Sequence, residues 1–407
     1  MNEKPHLRPL DFQPILHDGQ QMWYLRDPMG LSEHQIVMPT ALAQILIFCD
    51  GTRTISEIQQ ALSAHLGIPV NYDIVADTIA QLDEACLFEN ERAQQALEKI
   101  REVYRAQPCR PPALAGLSYP ESPEQLSDML EGYAEGDDLD NWEPWYGRAI
   151  VAPHIDYQRG GKVYSKVYRR AETAVLDADL VIIFGTDHNG GLGTFTLTKQ
   201  PYATPYGILP TDLQLIDTLA EAIGPDAAFA EELNHRQEHS IELAANWLHY
   251  IYEKAGVEPK PMLPILVGTF QHFVNNGKHP TKDELLLTAI ETLKKETAAK
   301  KVFTIMSVDF AHVGPAFDDN YIMDESKRTA LKETDHQLVH AITRGDETDF
   351  YNQIAAIKNS NKVCGFSPIY LGLQFIGTTE GIQVAYDQCT ADDQDHSLVS
   401  IAGILLE

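Results

Sequence analysis

The chain has 407 residues and a formal net charge of −28 at pH 7, with 59 Asp and Glu against 31 Lys and Arg. So acidic a balance argues against binding nucleic acid or anionic membranes, whose phosphates require Lys and Arg. At 44% hydrophobic residues the chain supports a sizeable core in two or three domains, and no apolar run reaches the ~18 residues of a membrane span.

The N-terminal MNEKPHLRPLDFQ lacks the apolar stretch of a secretory signal. The five cysteines, Cys49, Cys86, Cys109, Cys364 and Cys389, are odd in number, widely spaced and without a CxxC pair. That usage fits a reducing cytoplasm and argues against a zinc ribbon or a thioredoxin motif.

Residues 1–98 read as a separate small domain. Asp18-Gly19 predicts a hairpin turn within Pro14–Tyr24. Leu42, Ile45, Leu46 and Cys49 have helical spacing, and Asp50-Gly51 stops that helix. Thr54 and Glu57 form the pattern of a capping box for a helix that runs through Leu66 and closes at Gly67. A third helix over Tyr72–Ala85 puts Ile74, Val75, Thr78, Ile79 and Leu82 on one face. Helices of this size with short strands suggest a winged-helix-like module. Glu89–Ala106 is a charged helix striped by Ala93, Leu97, Ile100 and Tyr104. It runs into Gln107-Pro108-Cys109-Arg110-Pro111-Pro112, so residues 99–112 read as a helix end and Pro-rich linker. The acidic stretch Glu135–Glu143 reads as a surface loop.

Residues 113–407 read as one α/β domain with a mostly parallel central sheet flanked by helices. Short apolar runs mark strands buried on both faces: Ile150 onward, Leu180–Gly185, Met262–Val267 and Val302–Val308. Helices are predicted at Gly161–Leu176, Asp212–Ala222, Ile241–Ala255, Asp283–Ala298, Met323–Arg344 and Asp346–Lys358. Such alternation implies a parallel sheet covered on both faces.

In open α/β sheets, ligands bind beyond the carboxyl ends of the strands. Here the strand runs end in His154, in Thr186-Asp187-His188, in Gly268-Thr269 and in Asp309-Phe310-Ala311-His312. Two neutral imidazoles at neighbouring strand ends suit a transition metal; either histidine alone is better read as a hydrogen-bonded structural group, and the pair with its acidic neighbours balances the two readings. Asp309 and His312, three apart, have the spacing for a carboxylate to orient an imidazole for acid–base work, against a plain capped loop. His239 opens a helix, where the dipole favours its neutral form. The glycine-rich loop after His188 matches neither a Walker A loop nor GxGxxG, and no GxSxG elbow is present. By spacing alone, Cys364 reads as a buried structural thiol.

Nine short segments in order resemble the Memo family. They are Ala115–Pro120 (AGLSYP), Ala152–Tyr157 (APHIDY), Gly185–His188 (GTDH), Thr204–Gly207 (TPYG), Glu238–Glu242 (EHSIE), Pro264–Gly268 (PILVG), Ser307–His312 (SVDFAH), Cys364-Gly365 with Pro368-Ile369, and Ser400–Gly403 (SIAG). The family is similar in fold to class III extradiol dioxygenases. The resemblance implies metal ligands at His154, His188 and Cys364, with Asp309 and His312 close by and His239 lining the pocket. Two His and one anionic ligand leave open positions on iron(II), and a thiolate in place of a carboxylate also admits copper(I). The chain departs from the family pattern at Leu114, Asn189 and Ala311, leaving a pocket poorer in His and thiol. The N-terminal part is similar to PqqD-type winged-helix domains through Asp50–Ile55 (DGTRTI), which implies peptide handling beside a radical SAM partner.

Two functions follow as expectations. One is an iron-dependent redox enzyme acting on a small-molecule or peptide substrate, with His239, Asp309 and His312 as its catalytic groups. The other is a non-catalytic adaptor that binds metal or peptide.

Overall fold

Asp18 and Gly19, at φ 49° and 74°, turn the chain between β1 (Asp11–His17) and β2 (Gln20–Arg26), as the Asp-Gly pair predicts. The structure is a computed structural model describing residues 4–32, 36–137, 139 and 142–407. Strand β3 (Ile36–Pro39) pairs antiparallel with β2 and completes a three-stranded sheet. The predicted first helix is only α1 (Thr40–Ala43), continued by a 3₁₀ turn over Gln44–Phe48. The capping box forms as read: Thr54 accepts from the Glu57 amide, and Glu57 accepts from the Thr54 amide at 2.7 Å. It opens α2 (Ile55–Leu66), which ends at left-handed Gly67. Helices α3 (Tyr72–Glu84) and α4 (Glu91–Ala106) follow. Val75, Ile79 and Leu82 of α3 are buried with Leu25, Ile58 and Phe88, while Ile74 stays 49% exposed, so the buried stripe is narrower than its pattern.

The chain divides into Met1–Gln107 and Pro108–Glu407. The division falls within the 99–112 stretch read as the connection. In the second unit α5 (Pro123–Gly132), absent from the sequence reading, is capped by Ser122 with Pro123 in its first turn. Of the acidic stretch after it, residues 138, 140 and 141 lie outside the described residues. Asp137 is not a loose surface group, because it pairs with both terminal nitrogens of Arg170 at 2.6 and 2.7 Å.

The elements then alternate: β4 (Ala149–Ala152), α6 (Tyr157–Asp177), β5 (Leu180–Thr186), β6 (Phe195–Leu197), β7 (Tyr202–Thr204), β8 (Gly207–Leu209), α7 (Leu213–Ile223), α8 (Pro225–Phe229), α9 (His239–Ala255), β9 (Met262–Val267), α10 (Gln271–Asn276), α11 (Glu284–Thr297) and β10 (Val302–Ser307). Next come β11 (His312–Val313), α12 (Glu325–Thr343), α13 (Glu347–Ala356), α14 (Phe366–Ile376), β12 (Gly381–Thr390) and β13 (Leu398–Leu406). The main sheet has the order β11-β13-β4-β10-β5-β9-β6, with β12 on β13. Strands β4, β10, β5 and β9 run parallel at its centre, and the margins are antiparallel.

Strands β4, β5 and β9 are buried along their whole length, which is what continuous apolar runs predict. Side chains alternate between faces. Ile150, Ala152, Val181 and Ile183 pack with residues of α6 and α9. Ala149, Val151, Ile182 and Phe184 pack with residues of α7 and α11 to α14. Helix α6 begins at Tyr157, four residues before its predicted start, because Asp156 caps it by accepting from the Arg159 amide.

Candidate metal centre

Three adjacent strands deliver the first residues of the site. His154 follows β4, Asp309 follows β10 and His188 follows β5, all at carboxyl ends of parallel neighbours. Helix α9 brings His239 to the same place by starting hard against β5. Gly185 permits that approach: a Cβ there would lie 2.7 Å from both Ser240 Oγ and Ile241 Cγ1. Ser240 Oγ donates to the Thr186 carbonyl at 2.8 Å and locks the junction.

One ligand atom from each of His154, His188 and His239 lies within 4.8 Å of the other two. The ring centroids are 4.9 Å apart for His154 and His188, 5.0 Å for His154 and His239, and 4.7 Å for His188 and His239. Cys364, in the turn before α14, places Sγ 3.3 Å from His154 Nε2. Its backbone is fixed there by Thr186 Oγ1, which donates to the Cys364 carbonyl, and by the Gly365 amide, which donates to the Asp309 carbonyl at 3.0 Å. His154 is buried, whereas the side chains of His188 and His239 are 34% and 37% exposed. The cluster therefore opens to solvent on the His188–His239 side.

Hydrogen bonds to Nδ1 set the face each ring presents. His154 Nδ1 donates to the Ser307 carbonyl at 3.0 Å. His188 Nδ1 lies 3.0 and 3.1 Å from the two Glu238 carboxylate oxygens, and His239 Nδ1 lies 3.2 Å from the first of them. With Nδ1 occupied by an acceptor, each Nε2 keeps its lone pair for a metal. The three imidazole nitrogens converge and the Cys364 sulfur lies beside His154, a donor set that fits a soft or borderline ion.

In the metal-free site the electrostatics favour a free Nε2 lone pair on His154 but a proton there on His188, which a metal would have to displace. Burial, together with the neighbouring His188 and His239, holds the His154 imidazole well below its usual pKa, hence neutral. Burial works against charge on His188, but bonds to Cys364 and Glu238 carry it well above the ordinary value. Burial opposes ionisation of Glu238 too, yet the two imidazoles bound to it hold its carboxyl well below the normal range. Burial pushes the Cys364 thiol up, against the lowering effect of His188. A metal would reverse that by binding thiolate.

Asp309 takes a different place from the one its spacing predicts. Its carboxylate accepts from the amides of His154 and Ile155 at 2.9 and 3.2 Å, fixing the end of β4. His312 Nδ1 is held instead by the carbonyls of Phe310 and Lys362, both at 3.2 Å, with Phe317 edge-on at 5.1 Å. Among the described residues, Asp309 makes no hydrogen bond to the His312 ring, although the two are close enough to affect each other's ionisation.

The Memo-like family model matches residues 110–405. The chain belongs to the Memo family. A MEMO1 family protein of Aquifex aeolicus is 27% identical over 405 residues, covering 99% of both chains. One of Methanosarcina acetivorans is 30% identical over 308 residues, covering 73% of this chain and 99% of its own. Another, of Methanosarcina barkeri, is 28% identical over 306 residues, covering 73% of this chain and 100% of its own.

In this Memo unit the sequence reading passes over Glu238. It accepts from the His188 and Ser240 amides, both at 3.0 Å, besides meeting both imidazoles. A Glu directly before a helix-opening histidine reads as a cap, and it is one. Its buried side chain also spans two rings. Asp187 is a second omission: Asn234 donates to both its oxygens at 3.1 and 3.0 Å, and burial raises its carboxyl to about 7.

Proposed function

We propose that the Memo unit is a metal-dependent redox enzyme related to extradiol dioxygenases, holding iron(II) through His154, His188 and Cys364. The observation that carries this reading is the cluster of three imidazoles, with the Cys364 sulfur beside His154 and each Nδ1 already engaged. Bound there, iron supplies a redox-active Lewis acid with positions left open to substrate and O2. His239 stands at the solvent side, placed to hold or pass a proton through Nε2. Asp309 keeps His154 in register through two backbone amides, and His312 is within electrostatic reach of Asp309 and His188. Copper(I) is the alternative ion, favoured by the thiolate. The substrate is a small molecule or a peptide, and we place the protein in the cytoplasm. Among the described residues no helix is long and apolar enough to cross a membrane.

The first measurement is metal content by ICP-MS on protein purified without oxygen. About one iron per chain is expected for a single site, lost in Cys364→Ser and in His188→Ala. Oxygen uptake that depends on the same residues would then define the redox activity. Wild type that stays empty after reconstitution with iron(II) and copper(I) overturns the reading.

An adaptor role is the second reading, supported by the N-terminal unit. That unit carries an apolar cavity of about 490 Å³ lined by Leu7, Phe12, Trp23, Ala43, Leu46 and Ile47. Phe12 and Ile47 remain 42% and 64% exposed, a surface suited to an apolar peptide segment. Under this reading the chain captures a peptide beside a radical SAM partner. It binds metal without consuming O2.

A further inference from the structure

A fully buried ion pair holds the turn that leads into α9. Arg110 and Glu242 are 0% and 1% exposed at the side chain and form an ion pair. Taking two such charges out of water is costly, and an apolar pair of similar volume often serves stability as well or better. The hydrogen bonds they make indicate what this pair does. Arg110 Nε donates to the His235 carbonyl at 2.8 Å, and Nη2 donates to the Glu238 carbonyl at 3.0 Å. Glu242, one helical turn beyond Glu238, accepts from the amides of Ala113 and Leu114, both at 2.8 Å, and from the Tyr119 hydroxyl. The guanidinium fork thus grips the turn that leads into α9 at the residue whose carboxylate spans His188 and His239. A planar fork fixes direction as well as distance, which an ammonium does not.

We propose that Arg110 and Glu242 are positioning residues for the imidazole pair. They hold the Glu238 backbone where its carboxylate accepts from both Nδ1 atoms, so that both rings turn Nε2 toward the ion. The family match begins at Arg110, so this grip spans the Memo unit from its first matched residue to α9. The inference deepens the metal-binding reading, and only its affinity readout rests on that reading.

The test uses the full chain labelled with ¹⁵N-histidine. In metal-free wild type at alkaline pH, long-range ¹H–¹⁵N spectra are expected to show His188 and His239 in the Nδ1–H tautomer. In Arg110→Lys those signals shift toward Nε2–H, and iron(II) affinity, measured against a chromophoric chelator, falls roughly ten- to hundredfold. The paired change Arg110→Met with Glu242→Leu removes both charges at once and guards against a misfolded single variant. It is expected to fold and show the same two losses. Nε2–H tautomers in the wild type overturn the inference. So does either folded variant that keeps wild-type tautomers. A wild type that binds no iron overturns the metal reading instead and leaves the tautomer result to decide this one.

Discussion

Glu238 shows how one side chain can decide the chemistry of several. Its carboxylate can only accept, so each imidazole must offer Nδ1–H. Glu238→Gln keeps the volume but sets an amide NH₂ among those same groups. Iron(II) affinity is expected to fall roughly ten- to hundredfold, read by chelator competition; unchanged affinity in the folded variant would remove Glu238 from the site's machinery. His154 and His188 were legible in the sequence because each ends a continuous apolar run, and a buried strand exposes only its end. Cys364 was not legible that way. It enters from a turn before α14, 210 residues from His154, and only the family resemblance points to it. Arg110 was hidden differently: beside three prolines it reads as linker, and its partner lies 132 residues away. Contacts of that separation leave no periodic trace.

At the scale of elements, the four parallel strands were readable and the antiparallel margin was not. Strand β12 is half-exposed along most of its length, and β13 mixes Ser400 and Gly403 into an apolar run, so neither shows a clean period. Helix α14 carries Pro368 and Gly372, which read as breakers, although a proline in the first turn costs a helix nothing. The loop that carries His188 depends on close backbone contact. The Gly268 amide donates to the Thr194 carbonyl at 3.0 Å, and a Cβ on Gly268 would run into the Gly191 carbonyl and Thr194 Oγ1. Gly268→Ala is expected to push the 187–194 loop away from β9. We expect a cost of about 1–3 kcal/mol in stability, from urea unfolding, together with weaker metal binding. A variant as stable as wild type with the loop unmoved in its crystal structure would show that this contact is slack.

For the whole molecule, acid stability has an identifiable contributor far from the metal site. Asp335 on α12 is fully buried, and one of its oxygens accepts from the Tyr386 hydroxyl at 2.9 Å. Burial raises its carboxyl from 3.8 to about 6, against the lowering effect of Ser400 and Tyr386. The folded chain therefore keeps this proton where the unfolded chain has released it. Its contribution to stability falls as pH rises from about 4 to about 6, by about 3 kcal/mol in all. Asp335→Asn is expected to lose that slope. The check is the urea midpoint of variant minus wild type at both ends of the window; a difference that does not grow with pH rules Asp335 out. The sulfur enters the site from late in the chain. His154, His188 and His239 are all made well before Cys364, and β4 gains its second neighbour only when β13, the last strand, arrives. A chain still emerging from the ribosome has imidazoles but no thiolate to complete the set. If the site holds metal through Cys364, the set closes only when that residue joins three imidazoles made more than 120 residues earlier, so occupancy would report on long-range folding of the unit.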